Sequence, residues 1–213
     1  MQNEPPLPVS SMTRGQLARR RRLTNAVVEL LGEFPPEQLQ MKQVADHSLV
    51  SLGAMYRYFS SKDHLLAAAL TDWHAGFAEH AIEAAGTSAG AGREVRFEEV
   101  WKFVLSQLRG FERYPNFARL MSVIYASADP YASEEIRAVS VRNQTMMTTI
   151  LQPLGEEVAK PASRAIASTL TLQVMHWQAG RLSMEELEAE VEQVVRLVLA
   201  AVNRAPALTT PAE

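Results

Sequence analysis

Residues 39–66 read LQMKQVADHSLVSLGAMYRYFSSKDHLL, a stretch too short and too punctuated for ordinary helical-bundle architecture. Met41, Val44 and Ala45 suit a helix of about two turns. A tight turn around Ser48–Val50 follows, then a second brief helix from about Leu52 to Tyr58. Two short helices joined in this way make a helix-turn-helix, whose second helix enters the major groove of DNA. That groove is ~12 Å wide and accepts a helix with small residues at its leading end. Ser51, Gly53 and Ala54 supply that end, with Leu52 among them. Gly53 has no side chain to hold the backbone away from phosphates, and the free N–H groups of a helix start attract an anion. Arg57 projects from the second helix toward a base edge, where bidentate contact to guanine is the usual role of arginine.

Charge is distributed as this reading requires. The 213 residues carry a net charge of −3, but residues 1–70 hold eight Lys/Arg against six Asp/Glu, leaving 13 against 18 for the rest. A basic head on an acidic body places any polyanion at the head. Arg19–Arg22 and Lys42 belong to that basic set. The arginine run is a solvated helix face in most proteins; beside a helix-turn-helix it also reads as phosphate contact, through Arg19 or Arg20.

Around this core the apolar pattern has helical period throughout. Leu23, Val27, Leu30 and Phe34 form one face, ended by Pro35 and Pro36. A long amphipathic helix begins at Ser61 as N-cap and runs through Leu66, Leu70, Trp73 and Phe77. Gly86–Gly92 reads as a loop. Phe97, Trp101, Val104, Leu108 and Phe111 share a face; Pro115 opens a further helix, Asp129-Pro130 another, and Pro161 precedes the next. The last helix starts from a capping box of Ser183 and Glu186.

The run VADHSLVSLGAMYRYFSSKDHLL resembles the DNA-binding signature of the TetR family of bacterial repressors. Val44, Ala45, Val50, Ser51, Gly53, Tyr56, Phe59, Ser61, Lys62 and Leu65 fall on matching positions. The resemblance implies that Tyr56 and Tyr58 hydrogen-bond DNA phosphates, that Lys62 pairs with a phosphate from the start of the following helix, and that Phe59 packs in the core. Three positions depart from the pattern. Leu49 replaces the turn glycine, so the turn must find φ values a leucine tolerates or shift slightly. Ala54 replaces a phosphate-binding threonine, and the threonine that often opens the first helix of the motif is replaced around Gln40-Met41. The family implies an all-α protein of about nine helices: a three-helix DNA-binding head followed by a helical bundle that binds a small ligand and dimerises. The expected division is a disordered arm at 1–12, the head at 13–60, the ligand-binding and dimerisation domain at 61–204, and a disordered tail at 205–213.

Within that bundle Trp73, Phe77, Trp101, Leu105, Leu108, Phe117, Met121, Tyr125, Met146, Met147, Ile150, Met175 and Trp177 are candidates to line an apolar ligand cavity. Each taken singly reads equally as packed core, and their joint abundance favours an adaptable pocket. Ile166, Leu170, Val174, Val191, Val195, Val198 and Val202 make apolar stripes on the last two helices, which in the family form the dimer interface. The words around Tyr114-Pro115, Ala128-Asp129-Pro130 and Trp177–Ser183 resemble a branch of actinobacterial repressors of cholesterol catabolism, which implies a steroid or acyl-CoA-like lipid as effector.

The expected function is therefore a ligand-responsive repressor that binds a double-stranded inverted-repeat operator as a homodimer. No enzyme, cofactor or metal is expected. There is no cysteine, no HExxH or paired histidine spacing, and no G-x-S-x-G, Walker or G-x-G-x-x-G motif. No apolar run spans a bilayer and the polar, Pro-rich start is no signal peptide, so a cytoplasmic protein is expected. The alternative is an all-helical lipid carrier whose basic head merely solvates one end. A steep loss of DNA affinity with salt separates the two.

Overall fold

The computed structural model describes residues 5–85 and 95–204, with side chains for 5–75 and 95–203. The expected loop at Gly86–Gly92, the tail at 205–213 and the side chain of Phe77 lie outside them. Among the described residues there are nine α-helices and no strand: α1 (Arg14–Leu30), α2 (Met41–Ser48), α3 (Leu52–Met55), α4 (Lys62–Ala85), α5 (Phe97–Arg113), α6 (Pro115–Tyr125), α7 (Pro130–Ile150), α8 (Glu156–Gln178) and α9 (Met184–Arg204). No helix among them is long and apolar enough to cross a membrane.

The expected caps account for most helix starts. The Ser61 hydroxyl accepts from the His64 N–H at 3.0 Å and opens α4. Pro115 is the first residue of α6. Asp129 opens α7, its carboxylate accepting from the Tyr131 and Ala132 N–H groups at 2.8 and 2.9 Å. Ser183 and Glu186 exchange hydrogen bonds of 2.7 and 3.1 Å ahead of α9, satisfying donors that a helix N-terminus otherwise leaves free.

Three elements differ from the reading of the sequence. Helix α1 starts nine residues before its first buried apolar residue, Leu23, because Thr13 and Gln16 form a capping box and the intervening arginines are good helix formers. Helix α8 starts at Glu156 rather than after Pro161, so the proline lies inside it. Two glutamates in its first turn and the Glu156–Lys160 pair at 2.5 Å support that start. Residues 5–12 carry a short 3₁₀ turn at Val9–Ser11 and bury Met12, where a disordered arm was expected.

The chain divides into two compact units, one holding the residues up to Gly76 together with Arg113–Ser140, the other Phe77–Glu112 with the residues from Val141 onward. Helices α4 and α7 each contribute to both. In the first unit every residue from His64 to Thr71 is buried, so the start of α4 is packed on all sides. In the second, α8 and α9 pack against one another; Leu187, Val191, Val195 and Leu199, four apart on α9, are buried together with Ile166 and Val174 of α8.

Candidate nucleic-acid interface

Helix α2 ends on Leu49, whose backbone takes φ 55° and ψ 33°. The expected alternative, a shifted turn, is thus not used: the leucine adopts the left-handed conformation itself. Such a conformation costs an L-residue with a Cβ roughly 1–2 kcal/mol. Leu49 is 87% exposed, whereas Val50 beside it is buried. The chain then enters α3 through Ser51, whose hydroxyl accepts from the Ala54 N–H at 3.3 Å. Ser51, Leu52, Gly53, Tyr56 and Arg57 are all exposed, and Ala54 is half-buried. A Cβ at Gly53 would meet nothing within 4 Å, so this side of α3 is open to a large partner. At the start of α2 the missing threonine is replaced by Gln43, whose side-chain oxygen accepts from the Gln40 N–H at 2.8 Å. Lys42 beside it is exposed.

Beneath α3 the support is dense. Met55 and Phe59 are fully buried, as expected for Phe59. Tyr58 is also buried, 3% exposed, so its ring belongs to the head's core rather than standing open as a phosphate contact would require, whereas Tyr56 is 41% exposed. The alternation arises because the chain past Met55 turns rather than continuing the helix, bringing successive residues 58 and 59 inward. From the other side the N–H of Leu7 donates to the Arg57 carbonyl at 3.0 Å. Nothing in the sequence pattern announces this strap.

The arginine run separates in two. Arg19, Arg21 and Arg22 are exposed. Arg20 is not a free cation: its Nη2 lies 2.5 Å from the Glu135 carboxylate, with side chains only 12% and 17% exposed, and its guanidinium sits over the Phe59 ring. Of the two arginines expected at phosphates, Arg20 is thus engaged within the chain and Arg19 is open to solvent. Burial pushes the Glu135 carboxyl up, against the pull of Arg20. His64 lies in the same cluster, stacked on Tyr131 at 5.3 Å and edge-on to Phe59 at 5.2 Å. Burial, then the Arg20 charge, brings the His64 imidazole down to about 4, and its Nδ1 accepts from the Ser60 N–H at 3.2 Å. Lys62, at the start of α4, donates to the Glu37 carbonyl at 3.2 Å, and burial lowers it below the usual lysine value against the pull of Asp63 and Glu37.

Further polar contacts bind the head to α6 and α7 within the first unit. The Asn116 amide donates to the carbonyls of Leu31 and Phe34 at 2.8 and 3.3 Å. Arg119 meets Glu37 at 2.9 Å. Ser61 donates to Asp129 at 2.7 Å and Ser127 to Asp63 at 2.5 Å. Burial works to raise the Asp129 carboxyl, and hydrogen bonds from Ser61, Ala132 and Tyr131 overcome it, holding the group below its usual value. Asp129, Glu135 and Asn116 are separated from their partners by 64 or more positions, which is why periodicity could not reveal them.

The ligand-cavity candidates fall in both units. Trp73, Phe117, Met121 and Tyr125 belong to the first unit, the rest to the second. Trp73 and Phe117 stack on each other at 4.2 Å, so both already have a packing partner. Met121, Leu108, Met146 and Met147 are buried, Tyr125 is exposed, and Leu105, Ile150, Met175 and Trp177 are half-buried. In the second unit Phe97 and Trp101 stack at 5.8 Å. With Leu105 they line a groove of about 480 Å³ that Lys102, Arg109 and Arg196 border. Among the described residues no group of three or more His, Asp or Glu could hold a metal ion. Of the dimer candidates, Ile166, Val174, Val191 and Val195 are fully buried within the single chain and so cannot meet a partner; Leu170, Val198 and Val202 are half-buried. The large apolar residues that α8 and α9 expose among the described residues are Leu172 and Leu197, at 52% and 70%.

Residues 23–69, from the middle of α1 into α4, match the family described as bacterial regulatory proteins, tetR family. The chain is 27% identical over 188 residues to the HTH-type transcriptional repressor KstR of Mycobacterium tuberculosis, covering 86% of this chain and 82% of that protein. Its fold is similar to that of a TetR transcriptional regulator from Rhodococcus sp. RHA1, with a TM-score of 0.71 and 22% identity over 87% of this chain and 98% of the other. It is also similar to Thermus thermophilus FadR in complex with lauroyl-CoA, with a TM-score of 0.65 and 22% identity over 91% and 98% of the two chains.

Proposed function

We propose that this chain is a transcriptional repressor of the tetR family that binds an inverted-repeat operator as a homodimer and leaves it when a small apolar effector enters the helical body. The observation that carries the reading is the exposed face of α3, where Ser51, Gly53, Tyr56 and Arg57 stand open above a buried floor of Met55, Tyr58 and Phe59. A helix so supported keeps its contact residues fixed as it enters the groove. The head, residues 13–60, meets the duplex; the body, 61–204, holds effector and partner. Arg57 reads a base edge, while Tyr56, Arg19, Lys42 and Lys62 neutralise or hydrogen-bond phosphates.

A dimer presents two copies of α3 to successive major grooves, so the operator is a two-fold repeat with half-sites about one helical turn apart. The effector is a lipid-like molecule, a steroid or an acyl-CoA; the fold neighbour bound to lauroyl-CoA supports that chemistry. Release works through α4, one helix from Lys62 at the head to Ala85. An effector lodged among the middle helices shifts α4 and changes the spacing of the two heads. A coupling of about 1–3 kcal/mol lowers operator affinity roughly 5–150-fold.

The test is a band shift with DNA from upstream of the coding region. Tyr56→Phe and Lys62→Ala should weaken binding evenly across sequences, and Arg57→Ala should relax preference at one base pair per half-site. An unchanged sequence preference in Arg57→Ala would remove arginine from the base-reading role, and no affinity at low salt in the parent protein would refute DNA binding altogether.

A further inference from the structure

Leu49 contributes almost no buried surface to its own chain. Its N–H donates to the Asp46 carbonyl at 3.3 Å and that of Val50 to Ala45 at 3.1 Å. With Val50 facing the core, the turn has no freedom to slip by a residue, and the Leu49 side chain is directed outward, 87% exposed. A glycine would make the same left-handed turn without strain. The leucine adds strain and an exposed apolar group and packs nothing. Three residues on, Leu52, the first residue of α3, is 40% exposed as well. Both leucines lie close in the chain to Ser51, within the run that also exposes Gly53, Tyr56 and Arg57. Phosphates give such side chains no favourable contact. The major groove offers one apolar feature that does, the C5-methyl group of thymine.

We propose that Leu49 and Leu52 read thymine methyl groups in the major groove, so that each operator half-site carries thymine where the α2–α3 turn meets the DNA. This rests on the reading of α3 as the recognition helix. It assigns the departure at position 49 a role in specificity and makes the turn part of the base-reading surface.

The experiment compares the upstream fragment synthesised with thymidine against the same fragment synthesised with deoxyuridine, which lacks only the methyl group. Binding is followed by fluorescence anisotropy at low salt for the parent protein, Leu49→Gly, Leu52→Ala and the double variant. The parent should bind the deoxyuridine fragment about 3–10-fold more weakly, the scale of losing one or two buried methyl contacts. Leu49→Gly should keep or raise the melting temperature, lose affinity for thymidine DNA, and show a smaller thymidine-to-deoxyuridine ratio; the double variant should show a ratio near one. A folded Leu49→Gly that keeps the parent ratio would overturn the proposal, because any effect of deoxyuridine on DNA stiffness would survive that substitution. So would a ratio abolished by Leu52→Ala alone. A parent protein that binds neither fragment would instead refute DNA recognition by α3.

Discussion

Arg19 and Arg20 are neighbours in a run of four arginines, yet the structure gives them opposite surroundings. Arg20 is held by Glu135 and lies over Phe59, while Arg19 is exposed. Removing one partner of a buried ion pair leaves an uncompensated charge, a cost of about 3–5 kcal/mol. Arg20→Ala should therefore lower the melting temperature markedly and leave the slope of log affinity against log salt unchanged once folded protein is compared. Arg19→Ala should do the reverse, reducing that slope by about one ion per head. Thermal melts and salt titrations of the two variants check both halves, and a shallower slope for Arg20→Ala would return that residue to the phosphates. The sequence could not separate the pair, because the residue that distinguishes them, Glu135, lies 115 positions away.

At the scale of elements, local chemistry was legible and long-range chemistry was not. Ser61, Asp129 and the Ser183–Glu186 box mark helix starts through bonds spanning two or three residues, and Pro115 through its fixed φ, all of which a sequence displays directly. The head was legible because its short helices, small residues and tyrosines lie together in one run. Which apolar stripes pack within the chain was not, since a stripe looks the same in sequence whether it meets another helix of the same chain, a ligand or a second copy. Tyr58 illustrates the limit within a single element: one residue past exposed Arg57, it turns inward because α3 stops at Met55. A four-residue helix needs external support, and the bond from Leu7 N–H to the Arg57 carbonyl supplies some of it from outside the motif. Deleting residues 1–8 should leave the helix content unchanged and weaken operator binding several-fold through loss of that strap. Circular dichroism with anisotropy titration tests this, and an unaltered affinity would show that α3 holds its place without the arm.

For the molecule as a whole, the proposed dimer ties DNA affinity to the pairing of two heads, since joining two binding modules makes the second contact intramolecular. The buried valines of α9 already serve their own chain, which leaves Leu172 and Leu197 as the large apolar residues that the last two helices expose among the described residues. Leu172→Glu combined with Leu197→Glu should yield a folded monomer by light scattering and reduce operator affinity by more than tenfold. Val191→Glu, which buries a charge, should unfold the second unit instead. A double variant that stays dimeric would move the interface off these two positions.

Pro161 gives α8 an uneven stiffness. Its ring nitrogen has no proton for the carbonyl of Glu157, and the ring crowds that same carbonyl, so the five residues ahead of it are joined to the remaining rod by one backbone bond fewer than an uninterrupted helix would have. Glu156, Ala159 and Lys160 on that short piece also border a groove of about 510 Å³ with Val141, Gln144 and Thr148 of α7. One wall of this groove is consequently formed by the piece of α8 on the near side of the missing bond, while the segment beyond the proline, toward Gln178, packs with α9.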